Sequence, residues 1–383
     1  MLPVPVHRSK CNGQQEHGRC DAVLVITHLS PGGTLEMFLL IAQELRALGL
    51  RVALVAIYRG RGSALDDDGC DVLIDREALG ISGYARAFVE LIVRMWQLGP
   101  AAVLTFQPAA NILGAIAGFC AGARTRIASQ HQASSAVNAM LRWIDRVLGS
   151  VGLYSGVITV SRSVQQSFVA YPTAYNHRMR VIPNAIHPVA PRTARAVVRR
   201  SLGIRENAVL LISVGRLSKE KNVIKTIAGA TRVPDVNLVL VGDGPERKDI
   251  ESYVAGAGLN ERVLLLGHVN HQRAVDILFA SDVFVQLSEW EGRSLALMEA
   301  LLARVPVLAS DIPAQREALT LPDGTLAGLL CDQSNETAIY KAVEVLAGNE
   351  RLRTELASRA EVIARAFDPA RMGREYALML SGK

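Results

Sequence analysis

The amino-acid sequence predicts an α/β protein built as two doubly wound parallel sheets, one in each half of the chain, facing each other across a cleft. Short apolar runs of strand length alternate with helical stretches along most of the chain, the rhythm of parallel strands covered by helices on both faces. It breaks once, around 183–200, where Pro183, Pro188 and Pro191 precede Arg195, Arg199 and Arg200, and then restarts. Half of the 383 residues are hydrophobic but only 5% are aromatic. The cores are therefore built from Ala, Val, Leu and Ile, which suits buried strands and helices better than a β-sandwich.

Residues 1–20 carry no periodic pattern and read as a disordered tail. His7, Cys11, His17 and Cys20 fall within it, but their spacing matches no common zinc site. The first domain, 21–183, opens on the strand Ala22–Thr27. A Pro-Gly-Gly turn at 31–33 follows, then a helix with Phe38, Ile41, Ala42 and Leu45 on one stripe, ending at Gly49. Strands are expected at Arg51–Ile57, Val72–Ile74, Ala102–Phe106, Thr125–Ser129 and Val157–Val160, with helices at 84–98 and 162–170. A linker occupies 184–207. The second domain, 208–366, repeats the rhythm with strands at Val209–Val214, Leu238–Val241, Val263–Leu266, Val283–Leu287 and Val305–Ala309. A terminal helix, 367–383, crosses back toward the first domain. Both domains are Rossmann-like, an architecture that serves many chemistries, so motifs must name the function.

Bulk properties exclude several classes. Five cysteines stand singly at 11, 20, 70, 120 and 331, which argues for a reducing compartment and against a disulfide framework. No apolar run approaches the roughly 18–20 residues of a membrane span, and the first twenty residues lack the apolar core of a signal peptide. A cytoplasmic location follows as an expectation, with contact to the inner membrane face at most peripheral. The net charge of +6 is uneven: residues 1–185 hold 17 Lys/Arg against 12 Asp/Glu, and the rest hold 25 against 24. An anionic membrane surface or lipid diphosphate suits the first half; a mildly basic solubilising surface is the plain alternative. No aromatic-basic interleaving or recognition motif supports nucleic acid as a partner.

Two loops carry chemistry. Gly215-Arg216-Leu217, with Lys221 five positions after the arginine, follows the strand LLISV, and the C-terminal end of such a strand is where open α/β sheets bind ligands. A forked guanidinium and an ammonium this close suit a diphosphate; a solvated loop with ordinary charges is the alternative. Glu291-Gly292-Arg293-Ser294-Leu295, followed by Glu299, lies after the strand VFVQLSEW. The N–H groups of a helix opening near Ser294 and Leu295 would receive phosphate oxygens. Eight residues at helical rise set the two carboxylates up to about 12 Å apart, each able to accept from sugar hydroxyls.

Other positions carry less. Gly242-Asp243-Gly244-Pro245 is a tight turn that shapes the cleft floor. Gly32-Gly33 lets backbone approach a ligand. His131, at the end of RTRIAS, either contacts a sugar or a developing charge, or is a packed structural residue. Asp66 to Asp68 reads as a solvated turn before a metal site.

Taken in order, these motifs resemble the retaining glycosyltransferase family with the GT-B fold that includes bacterial mannosyl-, glucosyl- and N-acetylglucosaminyltransferases. The resemblance runs through PGG, VITVSRSV, RVIPNAI, VGRLSKEKN, LVLVGDGPE and ASDVFVQLSEWEGRSLALMEALLARVPVLASDIPAQRE, covering nearly all of 21–380. It implies that Arg216 and Lys221 neutralise the donor diphosphate, that Glu299 bonds the nucleotide ribose, and that Glu291 lies near the transferred sugar. It also implies that Gly33 approaches the phosphate from the other domain and that His131 stands by the reaction centre. The donor is then a nucleotide diphosphate sugar carrying a hexose, and the acceptor a glycan or lipid-linked glycan in cell-surface polysaccharide or glycolipid synthesis. Transfer would retain anomeric configuration with no cofactor and no metal.

Three positions depart from the family pattern. Asn184-Ala185-Ile186-His187 replaces Asn-Gly-Val-Asp, Arg293 stands where Phe is common, and Arg304 stands where Gly is common. Arg304 is expected to face solvent, be catalytically neutral and lose up to about 1 kcal/mol of stability on replacement by Gly. A nucleotide-sugar epimerase of the same fold and a non-catalytic partner subunit are the alternative readings. The helix around 137–148, apolar at Val137, Met140, Leu141, Ile144, Val147 and Leu148 and basic at Arg142 and Arg146, either rests on a membrane or faces its own sheet.

Overall fold

A computed structural model describes residues 20–60, 69–76 and 80–382. His7, Cys11, His17 and Asp66–Asp68 lie outside them. The chain divides into two compact units. One runs to Ala185 and takes in the residues from Asp368 on; the other is Ile186–Phe367.

Among the described residues the first unit holds seven strands: β1 (Ala22–His28), β2 (Val52–Tyr58), β3 (Cys70–Ile74), β4 (Ala102–Phe106), β5 (Thr125–Gln130), β6 (Gly156–Thr159) and β7 (Met179–Val181). They form one parallel sheet in the order β3-β2-β1-β4-β5-β6-β7. The central strands β1 and β4 are apolar runs buried on both faces, as a parallel sheet covered twice requires. Helix Gly33–Ala47 buries Leu35, Met37, Phe38, Ile41, Ala42 and Leu45. Helix Pro369–Leu380 packs on that helix and on β5, with Tyr376 fully buried.

The second unit holds β8 (Val209–Val214), β9 (Val236–Val241), β10 (Val263–Gly267), β11 (Val283–Gln286), β12 (Val307–Ser310) and β13 (Gly328–Cys331). Their order, β10-β9-β8-β11-β12-β13, is again all parallel. Two strands carry no expectation from the sequence, β7 and β13; both are four residues or fewer and only partly buried, so neither shows a long apolar run.

The stretch 184–207 is more ordered than a linker. It contains the helix Arg195–Ser201, packed on helix His271–Ala280. Arg199 is 1% exposed, yet its guanidinium donates to the carbonyls of Ala280, Arg205 and Ala208 and to Asp282. These bonds to both terminal nitrogens make the buried charge tolerable, while Nε is buried without a hydrogen bond among the described residues. Asp276 accepts from the Arg192 N–H at 2.7 Å and the Thr193 hydroxyl at 2.7 Å, fixing the entry to this helix.

Candidate functional site

In the second sheet, successive strands run one way from β8 to β10 and the other way from β11 to β13. The loops leaving β8 and β11 therefore diverge, and a crevice opens between them at the C-terminal edge, where ligands bind in sheets of this kind. The β8 loop carries Arg216 and Lys221; the β11 loop carries Glu291. Backbone ties the loops together, the Glu289 N–H donating to Glu220 O at 2.7 Å.

Side chains tie them again. Lys221 Nζ lies 2.5 Å from Glu291 Oε1, with 22% and 11% of the two side chains exposed. The same oxygen accepts from Gln286 Nε2 at 3.0 Å and Ser288 Oγ at 2.7 Å. Oε2 of Glu291 has no hydrogen bond among the described residues and is left to meet a ligand. Arg216 is exposed and makes no side-chain bond among the described residues. The two cations thus differ: Arg216 has its whole fork available, whereas Lys221 has already given one of its three donors to Glu291.

Ser294 caps helix Leu295–Leu302, its Oγ accepting from the Leu297 N–H at 3.3 Å. The N–H groups of Leu295 and Ala296 have no acceptor within the helix and project from its positive end. Because the helix begins only at Leu295, helical rise does not measure the separation of Glu291 from Glu299; Glu291 belongs to the loop. Glu299 stands one turn into the helix and meets a residue that sequence reasoning missed. His271 Nε2 lies 2.6 Å from Glu299 Oε1. A lone histidine in no motif, 28 residues upstream, carried no signal.

The turn Gly242–Pro245, leaving β9, braces the β8 loop from its other side. Leu217 N donates to Asp243 O at 3.0 Å, and Glu246 N donates to Leu217 O at 3.0 Å. The loops touch through backbone: a Cβ on Gly242 would stand 1.9 Å from Gly215 O, and one on Gly244 2.2 Å from Leu217 O. Only glycine admits that approach.

Gly33 and His131 belong to the first unit. Gly33 begins helix Gly33–Ala47 after Gly32, which supplies no side-chain cap; the Leu35 and Glu36 N–H groups bond the Gly32 carbonyl at 3.0 and 3.2 Å. That end stands at the β1/β4 reversal of the first sheet. His131 leaves β5 half-buried, its ring 5.4 Å from that of Phe106 and its Nε2 3.0 Å from Ser129 Oγ. Burial pushes its pKa down to about 4. The imidazole is neutral at pH 7, so it serves as a hydrogen-bonding group rather than a standing cation for developing charge.

Residues 195–362 match the family described as "Glycosyl transferases group 1". This segment is a group 1 glycosyltransferase domain. Among curated relatives, the alpha-D-kanosaminyltransferase of Streptomyces kanamyceticus is 28% identical over 170 residues, 43% of this chain and 43% of that protein. The UDP-Gal:alpha-D-GlcNAc-diphosphoundecaprenol alpha-1,3-galactosyltransferase of Escherichia coli is 36% identical over 145 residues, 35% of this chain and 37% of that protein. The chain thus spans less than half the length of these relatives. The crystal structure of Anabaena HepE with UDP and glucose superposes with a TM-score of 0.81 at 21% identity, covering 94% of this chain and 100% of the other. The fold is GT-B.

Within the glycosyltransferase domain, Arg304 has a plain local account. It follows helix Leu295–Leu302 at φ +55°, its N–H bonding Leu301 O at 3.1 Å while Val305 N bonds Ala300 O at 2.9 Å. This is the left-handed helix stop that favours glycine. Its side chain, 61% exposed, reaches Glu361 at 3.3 Å. The expected cost of glycine here therefore changes sign. Arg304→Gly relieves left-handed strain of about 1–2 kcal/mol, against the entropy of an added glycine and a weak exposed ion pair. Thermal unfolding should show a gain of up to about 1 kcal/mol, with nucleotide binding unchanged. Arg293 lies with its guanidinium 5.9 Å over the ring of Phe367, a contact inside the second unit.

In the first unit, helix Ala139–Ser150 fully buries only Asp145 and Gly149. Asp145 accepts from Tyr154 Oη at 3.0 Å, Tyr175 Oη at 2.9 Å and Gln130 Nε2 at 3.1 Å. Burial still pushes its pKa up to about 6. The helix is thus fastened by a polar residue and turns Met140, Trp143 and Val147 outward, the first two 65% exposed. Helices Ile81–Leu98 and Pro108–Cys120 pack in the same layer, and they expose Val93, Trp96 and Phe119. Among the described residues no helix is long and apolar enough to cross a membrane.

Proposed function

We propose that the chain is a retaining hexosyltransferase that takes its sugar from a nucleoside diphosphate donor and passes it to a lipid-linked or glycan acceptor. The observation that carries this reading is the grouping of Arg216, Lys221, Glu291 and the N-terminus of helix Leu295–Leu302 at one strand-order reversal. Developing charge on a leaving diphosphate meets a guanidinium, an ammonium and outward N–H groups there. Those groups supply the positive charge, so the reaction needs neither metal nor cofactor. Glu291 and Glu299, each with one oxygen held and the other open, suit hydroxyls of the donor's two sugars. The retaining course uses same-face attack, the departing phosphate oxygen helping to take the acceptor proton, with neutral His131 bonding the donor sugar.

The acceptor side draws support from the E. coli relative, whose name specifies a diphosphoundecaprenol-linked substrate. The outward apolar stripe of Met140, Trp143 and Val147, with Arg142 and Arg146 on the same helix, fits an anionic bilayer surface. A lipid-linked acceptor would be met there, at the inner face of the membrane.

One experiment tests the reading. Purified protein is incubated with UDP-, GDP- and ADP-hexoses and an undecaprenyl-diphosphate glycan in anionic vesicles, with chelator present. The expected product carries the donor's anomeric configuration. An inverted product overturns the retaining course. Transfer lost in chelator and restored by magnesium or manganese overturns metal independence. Conversion of the donor sugar without acceptor would identify an epimerase instead.

A further inference from the structure

His271 is the first residue of helix His271–Ala280, whose start is fixed by the Asn270 side chain accepting from the Arg273 N–H at 2.8 Å. The histidine comes from the connection after β10 and Glu299 from the helix after β11. Their contact joins two elements at the same edge of the sheet. Nε2 and Oε1 are 2.6 Å apart, with 33% and 14% of the side chains exposed. A carboxylate only accepts hydrogen bonds, so Nε2 carries the proton and donates. Oε2 of Glu299 has no hydrogen bond among the described residues.

We infer that His271 is a positioning residue for ribose recognition, clamping one oxygen of Glu299 so that the other is presented to a ribose hydroxyl. The inference rests on the donor-site reading of Glu299 above. Its physical basis is the flexibility of glutamate. Three side-chain torsions must be fixed before the carboxylate can bond a hydroxyl, and a group already ordered binds without that entropic loss. The donated N–H acts at the carboxylate alone, which makes the effect specific to the sugar hydroxyls and independent of the diphosphate.

Calorimetric titration of UDP, GDP and ADP, each beside its 2′,3′-dideoxy counterpart, tests this on the full chain. The variants are His271→Ala, His271→Gln, Glu299→Ala and the His271→Ala/Glu299→Ala double. The ribonucleotide that binds wild type most tightly should bind His271→Ala about threefold to tenfold more weakly, the range expected for ordering one long side chain. Its dideoxy form should bind both proteins equally. His271→Gln, which keeps an N–H donor, should recover part of the loss, and His271→Ala should add nothing to Glu299→Ala. An equal loss for ribo and dideoxy forms, or no loss in His271→Ala while Glu299→Ala is impaired, overturns the role of His271 alone. Failure of wild type to bind any of the three diphosphates, or a Glu299→Ala variant indifferent to the ribose hydroxyls, overturns the donor-site reading and this inference with it.

Discussion

Arg216→Ala and Lys221→Ala should each lower sugar transfer about tenfold to hundredfold, the cost of one lost hydrogen bond to a charged group of about 1.5–3 kcal/mol. The two variants should differ in everything else. Arg216 is exposed and makes no side-chain bond among the described residues, so its loss leaves the melting temperature unchanged. Lys221 is bonded to Glu291 at 2.5 Å in a largely buried setting. Its removal leaves that carboxylate with Gln286 and Ser288 as neutral donors. The melting temperature should fall, and the carboxylate should lose its position as well as its counter-charge. Lys221→Arg separates the effects, since it keeps the charge but replaces a compact ammonium by a planar fork. Turnover near wild type in both folded alanine variants would remove the donor-site assignment.

What the sequence disclosed and what it hid follow from the range of the interactions involved. Buried parallel strands write themselves as continuous apolar runs, so β1, β4, β8 and β9 were legible; β7 and β13, short and half-exposed, were not. The loops with Arg216, Lys221 and Glu291 could be set at strand ends from local pattern alone. Their pairing could not, because the lysine and the glutamate are 70 residues apart and meet only through the strand order. His271 was hidden for the same reason. Helix Ala139–Ser150 shows a different limit: its amphipathic pattern was plain, but a pattern does not say which side is inward. Asp145, satisfied by two tyrosines and a glutamine, turns the polar position in; Leu148 packs on the core, while Met140, Trp143 and Val147 stay outside. Arg304 faces solvent as expected; what the sequence does not carry is its left-handed backbone angle, which reverses the sign of the glycine effect.

Gly242→Ala should be the most damaging single change in the glycosyltransferase domain, although it adds one methyl group. The added carbon would stand 1.9 Å from Gly215 O, and the backbone at Gly242 has φ +137°, a region essentially reserved for glycine. Neither problem is relieved by a side-chain rotation, because the obstacle is the main chain of the neighbouring loop. The β8 loop must move away, breaking the bonds from Gly215 N to Val241 O at 2.9 Å and from Leu217 N to Asp243 O at 3.0 Å. Backbone strain and overpacking together make a loss of about 3 kcal/mol the expected result in chemical denaturation. Arg216 rides on the displaced loop, so transfer should fall more than tenfold even at temperatures where the variant is fully folded. Gly256→Ala is the control: it ends helix Arg247–Gly256 with nothing within 4 Å of the added carbon. It should be neutral or stabilise by up to about 1 kcal/mol, by restricting the unfolded chain. A Gly242→Ala protein with the stability and turnover of wild type would show that the Gly242–Pro245 turn does not brace the donor loop.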